Sequence, residues 1–463
     1  MSGRFWTASF LALALVSSAV AQSARNEEAA PPCRACDQVA AFYALRGGAL
    51  AWTGPGHAAR YSALIGAIEN AETHGLTPAD YHLERLLVGN PHRPDRALDA
   101  LATDAYLTLA AHLEFGRLDP TSVEPDWTAG HPDRDLGAYL NSALSTGAVA
   151  ASLEALAPSN REYQALRQAL ALYRLVAEAG PWPVIEDGPV LRPGDVDPRV
   201  RQLRARLIPS LPTLPSGEEA APQAEAVDPE LYDEMLADAV RAFQARSALE
   251  ADGLVGGRTL AMLNMPAAAR IDRLRVNMER WRWLPHALGR RHIRVNLAGF
   301  QLEAWAEGGV ERRHNVIIGC TYRRTPVFSG VITYIVLNPW WETPHRLAVL
   351  DKLPAFQRDP DAVERLGFHV LDEAGEEVDP ATIDWNAFTA GDFPYRLRQA
   401  PGPLNALGRV KLIFPNPHSV YLHDTPDQAL FEHAPGFLLR LRPRPGRACA
   451  DRMGACGNTR MEC

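Results

Sequence analysis

The stretch Asn405–Pro426 reads NALGRVKLIFPNPHSVYLHDTP and decides how the C-terminal part of the chain folds. Two short apolar runs, Val410–Phe414 and Ser419–Leu422, are separated by a Pro-Asn-Pro turn at Pro415–Pro417. Apolar runs of this length, bounded by turn residues, predict two strands. The second run ends at His423, and a histidine held rigidly at the end of a strand is a candidate general base. The alternative is a histidine that only caps a hairpin.

The sequence before this stretch also predicts strands, followed by a long insert. From residue 292 the apolar residues recur with a period of two, which predicts strands at His292–Leu297, Gln301–Trp305, Asn315–Ile318 and Ile332–Leu337. Arg346–Arg365 then has the pattern of helices. Together with Gly367–Tyr395 it forms an insert whose length favours a role in capping a substrate over a passive loop.

The first half of the chain has the periodicity of helices. Gln38–Ile185 carries apolar residues at helical spacing, and none of its residue patterns has catalytic spacing, so we interpret it as a packing scaffold. Asp195–Met265 reads as a second unit of three helices. Its Pro/Glu/Ala-rich insert, Pro209–Val227, has too little apolar content to pack and is predicted to be a solvated loop.

Composition and charge limit the partners and the location. The net charge of −8 argues against nucleic acid, because there is no basic excess to neutralise phosphates. Met1–Ala21 has one early arginine, an apolar run and a small-x-small end, which predict a secretory signal peptide, with an uncleaved anchor as the alternative. No other stretch approaches transmembrane length, so we expect an exported, periplasmic protein without a membrane span after cleavage.

The six cysteines give no metal-ligand pattern, and no metal constellation is present elsewhere. Cys33 and Cys36 form a C-x-x-C without a βαβ pattern around it. We therefore favour a local disulfide or an inert pair over a redox centre. Three of the other cysteines lie within the last fifteen residues.

Three groups of motifs resemble one family. LGRVK, FPNP and YLHDTP resemble the catalytic domain of bacterial L,D-transpeptidases of the YkuD type, the cysteine enzymes that cross-link peptidoglycan. Phe243-Gln244, Asp252-Gly253, Gly256, Thr259 and Leu263-Asn264 resemble the pattern of a three-helix peptidoglycan-binding module. GLTPADY, EFGRLDP and PSNREYQALRQAL resemble the helical scaffold domain of the larger L,D-transpeptidases.

The resemblance implies a multidomain α+β fold. It comprises an all-α scaffold, the three-helix module, and a mainly-β catalytic domain with a helical capping insert. The expected boundaries are a signal peptide at 1–21, the scaffold at 38–185, the peptidoglycan-binding domain at 195–265, the catalytic domain at 290–435 and an aberrant tail at 436–463. Trp281 and Trp283, on the helix that links module and catalytic domain, are expected to pack rather than to stack on sugars.

The resemblance also implies the chemistry. A cysteine thiolate attacks a donor stem peptide and an acceptor amine resolves the thioester, giving 3→3 cross-links. His423 corresponds to the family's catalytic histidine, a general acid/base. Trp340 and Tyr395 are expected to line the donor groove, and Asn405, Gly408 and Arg409 to lie beside the site and bind substrate, although a structural role is favoured for the glycine. The partners are peptidoglycan stem peptides and glycan, and no cofactor is implied.

The chain departs from the family where the nucleophile should be. The family continues with Ser-x-Gly-Cys-x-Arg about 15–20 residues after the histidine, whereas this chain reads APGFLLRLRPRP from Ala434. One permitted coding of Pro435–Ala450, read one base later, gives Arg-Ala-Ser-Ser-Ser-Gly-Cys-Val-Arg. We therefore hypothesise a frameshift between His423 and Pro435. From Ala434 onward the written sequence has no apolar period and predicts no secondary-structure element.

Two alternatives remain open. If the written tail is real, the protein is a catalytically inactive peptidoglycan-binding protein, since Cys320, Cys449 and Cys456 are poor substitutes for the nucleophile. A peptidoglycan hydrolase is the other possibility, but no zinc-ligand spacing supports it.

Overall fold

The computed structural model describes residues 33–130, 134–207, 228–247, 249–319, 324–426, 431 and 436–440. They form a helical unit, a small three-helix unit, a linking helix and a β-rich unit, which confirms the multidomain α+β fold. The predicted signal peptide, the loop Pro209–Val227, and Cys320, Cys449 and Cys456 lie outside the described residues.

The helical unit packs around the long helix α4. Its helices are α1 (Cys36–Leu45), α2 (Ala58–Asn70), α3 (Leu83–Leu87), α4 (Arg96–Glu114), α5 (Pro120–Val123), α6 (Leu136–Thr146), α7 (Val149–Glu154) and α8 (Arg161–Glu178). The residues predicted to face the core, among them Leu64, Ile68 and Leu109, are fully buried. Gly75 adopts the left-handed conformation that a helix C-terminus favours, and ends a 3₁₀ turn, Ala71–His74, that extends α2.

A buried carboxylate on α4 orders the loop before α2. Asp99 accepts hydrogen bonds from three successive backbone N–H groups, those of Ala51, Trp52 and Thr53, at 2.7–2.8 Å. The Tyr43 hydroxyl donates to the same carboxylate. A buried charge is stable only when it is hydrogen-bonded in this way, so the loop and α1 both depend on α4.

The three-helix unit comprises α9 (Arg199–Leu207), α10 (Glu234–Arg246) and α11 (Gly257–Leu263). Gln244, from the motif at Phe243-Gln244, donates to Asp252 Oδ1 and Thr259 Oγ1 and accepts from the Gly253 N–H. Asn264 exchanges two hydrogen bonds with the backbone of Ile185. The motif residues therefore hold their own turns together.

Helix α12 (Ala267–Arg282) connects the helical unit to the β-rich unit and docks on α8. Arg282 is 1% exposed and donates to the His74 carbonyl, the Tyr163 hydroxyl and Glu279. Burial alone would raise the pKa of the Glu279 carboxyl, but Arg282 and the neighbouring backbone amides outweigh it and lower that pKa. Glu279 lies on α12 as well, so the bonds from Arg282 to His74 and Tyr163 fix the linking helix to the helical unit.

The two tryptophans of the linker pack as expected. Trp283 is buried, contacts the edge of the Trp127 ring and donates to Glu279. Trp281 is partly buried against the helical core.

The β-rich unit contains two sheets in its described part. The larger has the order β1-β2-β3-β11-β10-β9-β4, and the smaller is antiparallel with the order β5-β8-β6-β7. The strands are β1 (Arg291–Asn296), β2 (Gln301–Ala306), β3 (Gly309–Ile317), β4 (Tyr334–Leu337), β5 (Trp341–Glu342), β6 (Phe368–Leu371), β7 (Glu377–Val378), β8 (Arg396–Gln399), β9 (Val410–Ile413), β10 (Tyr421–His423) and β11 (Gly436–Arg440).

The predicted insert is helical and also carries the small sheet. Its helices are α13 (His345–Leu347), a π turn (Ala348–Lys352), α14 (Leu353–Arg358) and α15 (Ala362–Arg365). They pack on β6 and β8 through buried Phe356, Phe368 and Leu397. The sequence predicted these helices but not the sheet, because two of its strands are two residues long and show no alternation.

The expectation that no element follows Ala434 was wrong for Gly436–Arg440. These five residues form β11, parallel to β3 and antiparallel to β10. The physical reason is that strand pairing uses backbone groups, and here two strands offer them, one on each side. The rest of the expected tail, 441–463, lies outside the described residues.

Replacing Arg282 by methionine should destabilise the helical unit. Breaking a buried ion pair leaves its partner uncompensated, so we expect a loss of about 3–5 kcal/mol. Urea unfolding followed by tryptophan fluorescence measures it. The control is Arg290→Met, in an ion pair whose side chains are 83% and 64% exposed, which should cost below about 1 kcal/mol. If both variants lose the same free energy of unfolding, Arg282 does not have the stabilising role assigned to it.

Candidate active site

His423 is the last residue of β10, as the sequence predicted, and is 1% exposed. Its strand lies between β9 and β11, and His423 pairs in register with Lys411 and Leu438. The ring Nδ1 lies 2.6 Å from the carbonyl oxygen of Asp424. A carbonyl oxygen only accepts, so Nδ1 carries the proton and Nε2 is the basic nitrogen of the neutral ring. This tautomer suits a general base.

Asp424 connects the histidine strand to the preceding loop. Its backbone N–H donates to the Val410 carbonyl, and its carboxylate accepts from the N–H groups of Arg409 and Thr425 at 3.0 and 2.8 Å. The carbonyl that orients His423 therefore belongs to a residue held from both sides. This arrangement limits the movement of the imidazole.

Gly408 makes this close approach possible. Its φ is +59°, a conformation that favours glycine, and a Cβ placed there would lie 2.6 Å from side-chain atoms of Asp424. Gly408 therefore has the structural role that was favoured for it, since it lets the loop approach Asp424. A contact between Gly408 and substrate stays a prediction.

Asn405 connects the loop before β9 to the end of β8 and to the segment between β4 and β5. Its side-chain amide is fully buried and lies within 2.9–3.1 Å of the carbonyl oxygens of Pro339, Gln399 and Ala400, while its Oδ1 accepts from the Leu407 N–H. All of these partners are backbone groups of the protein. The substrate contact expected of Asn405 stays a prediction, but its contacts here position the loop that carries Gly408.

Arg409 and Trp340 are the accessible members of the predicted set. The Arg409 side chain is 88% exposed, with Nε 3.7 Å from Asp424 Oδ2. Trp340 is 49% exposed, and its ring lies 4.5 Å from the guanidinium carbon of Arg398. Trp340 follows Pro339, whose carbonyl is bound by Asn405, so the backbone links it to the histidine loop.

Tyr395 lies immediately before β8, in the insert. Its ring makes edge-on contacts with the rings of Phe388 and Phe393, at centroid distances of 5.6 and 5.7 Å. It belongs to the aromatic cluster of the insert, and its place in a substrate groove stays a prediction.

Lys411 is a site residue that the sequence analysis did not select. It lies opposite His423 on β9, and directly opposed residues of antiparallel strands share a face of the sheet. Its ammonium group lies 3.9 Å from the centre of the Tyr421 ring, and burial lowers its pKa. The available signal was a lysine inside the apolar run Val410–Phe414.

The fold and this site define a modular protein with a histidine-bearing β domain, and comparisons with known proteins describe its parts further. Residues 290–445 match the L,D-transpeptidase catalytic domain (YkuD), 197–263 a peptidoglycan-binding domain, and 37–170 the scaffold domain. A Haemophilus influenzae protein assigned as an L,D-transpeptidase is 38% identical over 160 residues, which are 35% of this chain.

The matches give the chain three parts, a scaffold domain, a peptidoglycan-binding domain and an L,D-transpeptidase catalytic domain. The aligned part spans about a third of the length of the Haemophilus relative, 32%. The catalytic-domain match ends at 445 and includes β11. Among the described helices, none combines the length and apolarity that crossing a bilayer requires.

Changing Gly408 to alanine should displace Asp424 and with it His423. A left-handed alanine costs about 1–2 kcal/mol, and the contact with Asp424 should add about 1–3 kcal/mol. The matched control is Gly375→Ala, which has φ +87° but nothing within 4 Å of its Cβ position.

Thermal unfolding and the NMR signals of the His423 ring test this pair of variants. We expect both alanines to lower stability, the Gly408 variant more, and only that variant to move the His423 signals. An unchanged His423 spectrum in the Gly408 variant would contradict the proposed support.

Proposed function

We propose that the protein is an exported, cell-wall enzyme that joins peptidoglycan stem peptides by 3→3 cross-links through a cysteine thioester, with His423 as general acid/base. The observation that carries this proposal is the orientation of His423, whose Nδ1–H is held by the Asp424 carbonyl so that Nε2 is the basic nitrogen. The signal-like segment Met1–Ala21 supports export to the periplasm.

The proposed reaction transfers an acyl group twice. A thiolate attacks the carbonyl of the diaminopimelyl residue in a donor stem, the bond to D-alanine breaks, and the leaving amine takes a proton from His423. An acceptor amine then attacks the thioester, its proton passes to His423, and the thiolate is released. Backbone N–H groups beside the nucleophile stabilise the oxyanion of both tetrahedral intermediates.

The substrate groove of this proposal runs from the histidine loop to the insert. Trp340 offers an exposed aromatic face, and the exposed guanidinium of Arg409 can pair with a carboxylate of the stem peptide. Tyr395 contributes from the insert, which caps the donor. Asn405 and Gly408 act by positioning the loop.

The proposal has a second part, because the written sequence lacks the nucleophile. We propose a frameshift between His423 and Pro435. The written sequence contains no Ser-x-Gly-Cys, whereas the shifted reading of Pro435–Ala450 contains Ser-Ser-Gly-Cys-Val-Arg. The segment that follows His423 returns along β10 as β11, so a nucleophile carried by this segment would be brought back toward the histidine strand.

The second candidate function is an inactive protein that binds peptidoglycan. The absence of the motif from the written sequence favours it. The module that would bind the wall keeps its internal network around Gln244.

Determination of the coding DNA across codons 423–463 tests the two candidates first. We expect one base gained or lost relative to the written sequence. The frame-restored protein, given muropeptides with tetrapeptide stems, should form 3→3 dimers and a thioester adduct detectable by mass spectrometry.

Variants of two nearby histidines test the role of His423. His423→Ala in the restored protein should lower turnover by about 10²–10⁴-fold. The control is His418→Ala, since His418 contacts Thr128 of the helical unit and should leave turnover close to that of the parent. If the coding DNA agrees with the written sequence, and sacculi retain the protein without becoming cross-linked, the protein is an inactive peptidoglycan-binding protein. A restored protein that forms no adduct would overturn the enzyme proposal.

A further inference from the structure

Cys33 and Cys36 lie at the start of α1, and their sulfur atoms are joined as a disulfide. Both residues are exposed. The sequence left a local disulfide and an inert pair open for this C-x-x-C, and the structure shows the disulfide. Its surroundings, however, are not those of an inert surface pair.

A buried carboxylate lies directly beneath the pair. Asp104 of α4 is buried, and its Oδ1 lies 3.3 Å from the sulfur of Cys33. The same carboxylate accepts from the N–H groups of Arg34 and Ala35 at 3.0 and 2.7 Å. Its Oδ2 lies 2.7 Å from Nε2 of His82, whose side chain is also buried. The turn containing both cysteines is therefore folded around a carboxylate–imidazole pair.

Once the disulfide is reduced, the surroundings favour a thiolate at Cys36 and a thiol at Cys33. Cys36 is the first residue of a ten-residue helix, where the helix dipole favours a thiolate. Cys33 lies against an anionic carboxylate, which disfavours a thiolate but accepts a hydrogen bond from a thiol. A disulfide has no S–H to donate, so Asp104 stabilises the reduced state relative to the oxidised state.

Helix α1 is also held in place without the disulfide. Val39 and Phe42 are buried in the helical core, and the Tyr43 hydroxyl binds Asp99 and Thr103. A bond that closes a loop of only four residues removes little entropy from the unfolded chain. Opening it should therefore leave the helix docked.

We propose that Cys33 and Cys36 form a redox-active dithiol/disulfide site that exchanges with an external thiol. In reduction, the thiolate of the reductant attacks the Cys36 sulfur and the bond to Cys33 breaks. The Cys33 thiolate takes a proton from solvent water, and the resulting thiol donates a hydrogen bond to Asp104. A second thiolate of the reductant then attacks the mixed disulfide and releases the Cys36 thiolate. Two electrons pass to the protein, and the reductant leaves as its own disulfide.

Equilibration of the native full chain in glutathione buffers of increasing reducing strength tests the proposal. After acid quenching and alkylation, trypsin cuts at Arg34, between the cysteines, so the disulfide links peptides 26–34 and 35–46. We expect full reduction within the glutathione range with an unchanged circular dichroism spectrum. A parallel sample with reduced thioredoxin distinguishes a small thiol from a protein dithiol as the reductant. A bond that both reagents leave intact until urea unfolds the protein would overturn the proposal.

The reduced protein and one variant test the role of Asp104. With a limiting amount of iodoacetamide, the peptide containing Cys36 should be alkylated before the one containing Cys33, and equal rates would overturn the assignment. Asp104→Asn should require at least several-fold more reducing glutathione for half-reduction. The matched control is Asp135→Asn, which changes the N-cap of α6 and should leave the midpoint unchanged. If the disulfide is half-reduced at the same glutathione redox midpoint in the two variants, Asp104 has no role in the mechanism.

Discussion

The contact between Gly408 and Asp424 is the constraint on which the candidate site depends. Asp424 orients His423 through its carbonyl and is itself held by the Arg409 N–H and the Val410 carbonyl. The loop approaches this closely only because residue 408 has no side chain. One backbone conformation thus determines which nitrogen of His423 is basic, which is a chemical property of the site.

The same loop couples the site to the insert, and the β-rich unit separately contacts the helical unit. Asn405 binds the backbone at one end of the small sheet, at Pro339 before β5 and at Gln399, the last residue of β8. The β-rich unit also meets the helical unit where the Thr128 N–H donates to the Val327 carbonyl, near the docked Trp283. Rigid support from several elements is what a site that positions a proton carrier requires.

The sequence was sufficient for the helices, the order of the units and the position of His423 at a strand end, because these depend on local periodicity and on motifs. Periodicity identified buried Leu64 and Leu109, and the pattern of turns placed His423 at a strand end. It could not identify the small sheet, whose strands are too short to show a period. It also could not identify Asp99, Asp104 or Lys411 as special, since their partners come from other elements and only the tertiary fold brings them together.

Strand β11 shows that the fold of the sheet and the covalent reaction make different demands on the sequence. Its place between β3 and β10 is secured by backbone hydrogen bonds, which nearly any residue except proline can make. If the proposed frameshift lies before Gly436, the changed reading frame still supplies a strand, Gly-Phe-Leu-Leu-Arg. Covalent catalysis is less tolerant, because it needs one thiol at one position beside the histidine. The sheet can thus form in a sequence that contains no Ser-x-Gly-Cys motif, and fold alone does not determine whether this chain is an enzyme.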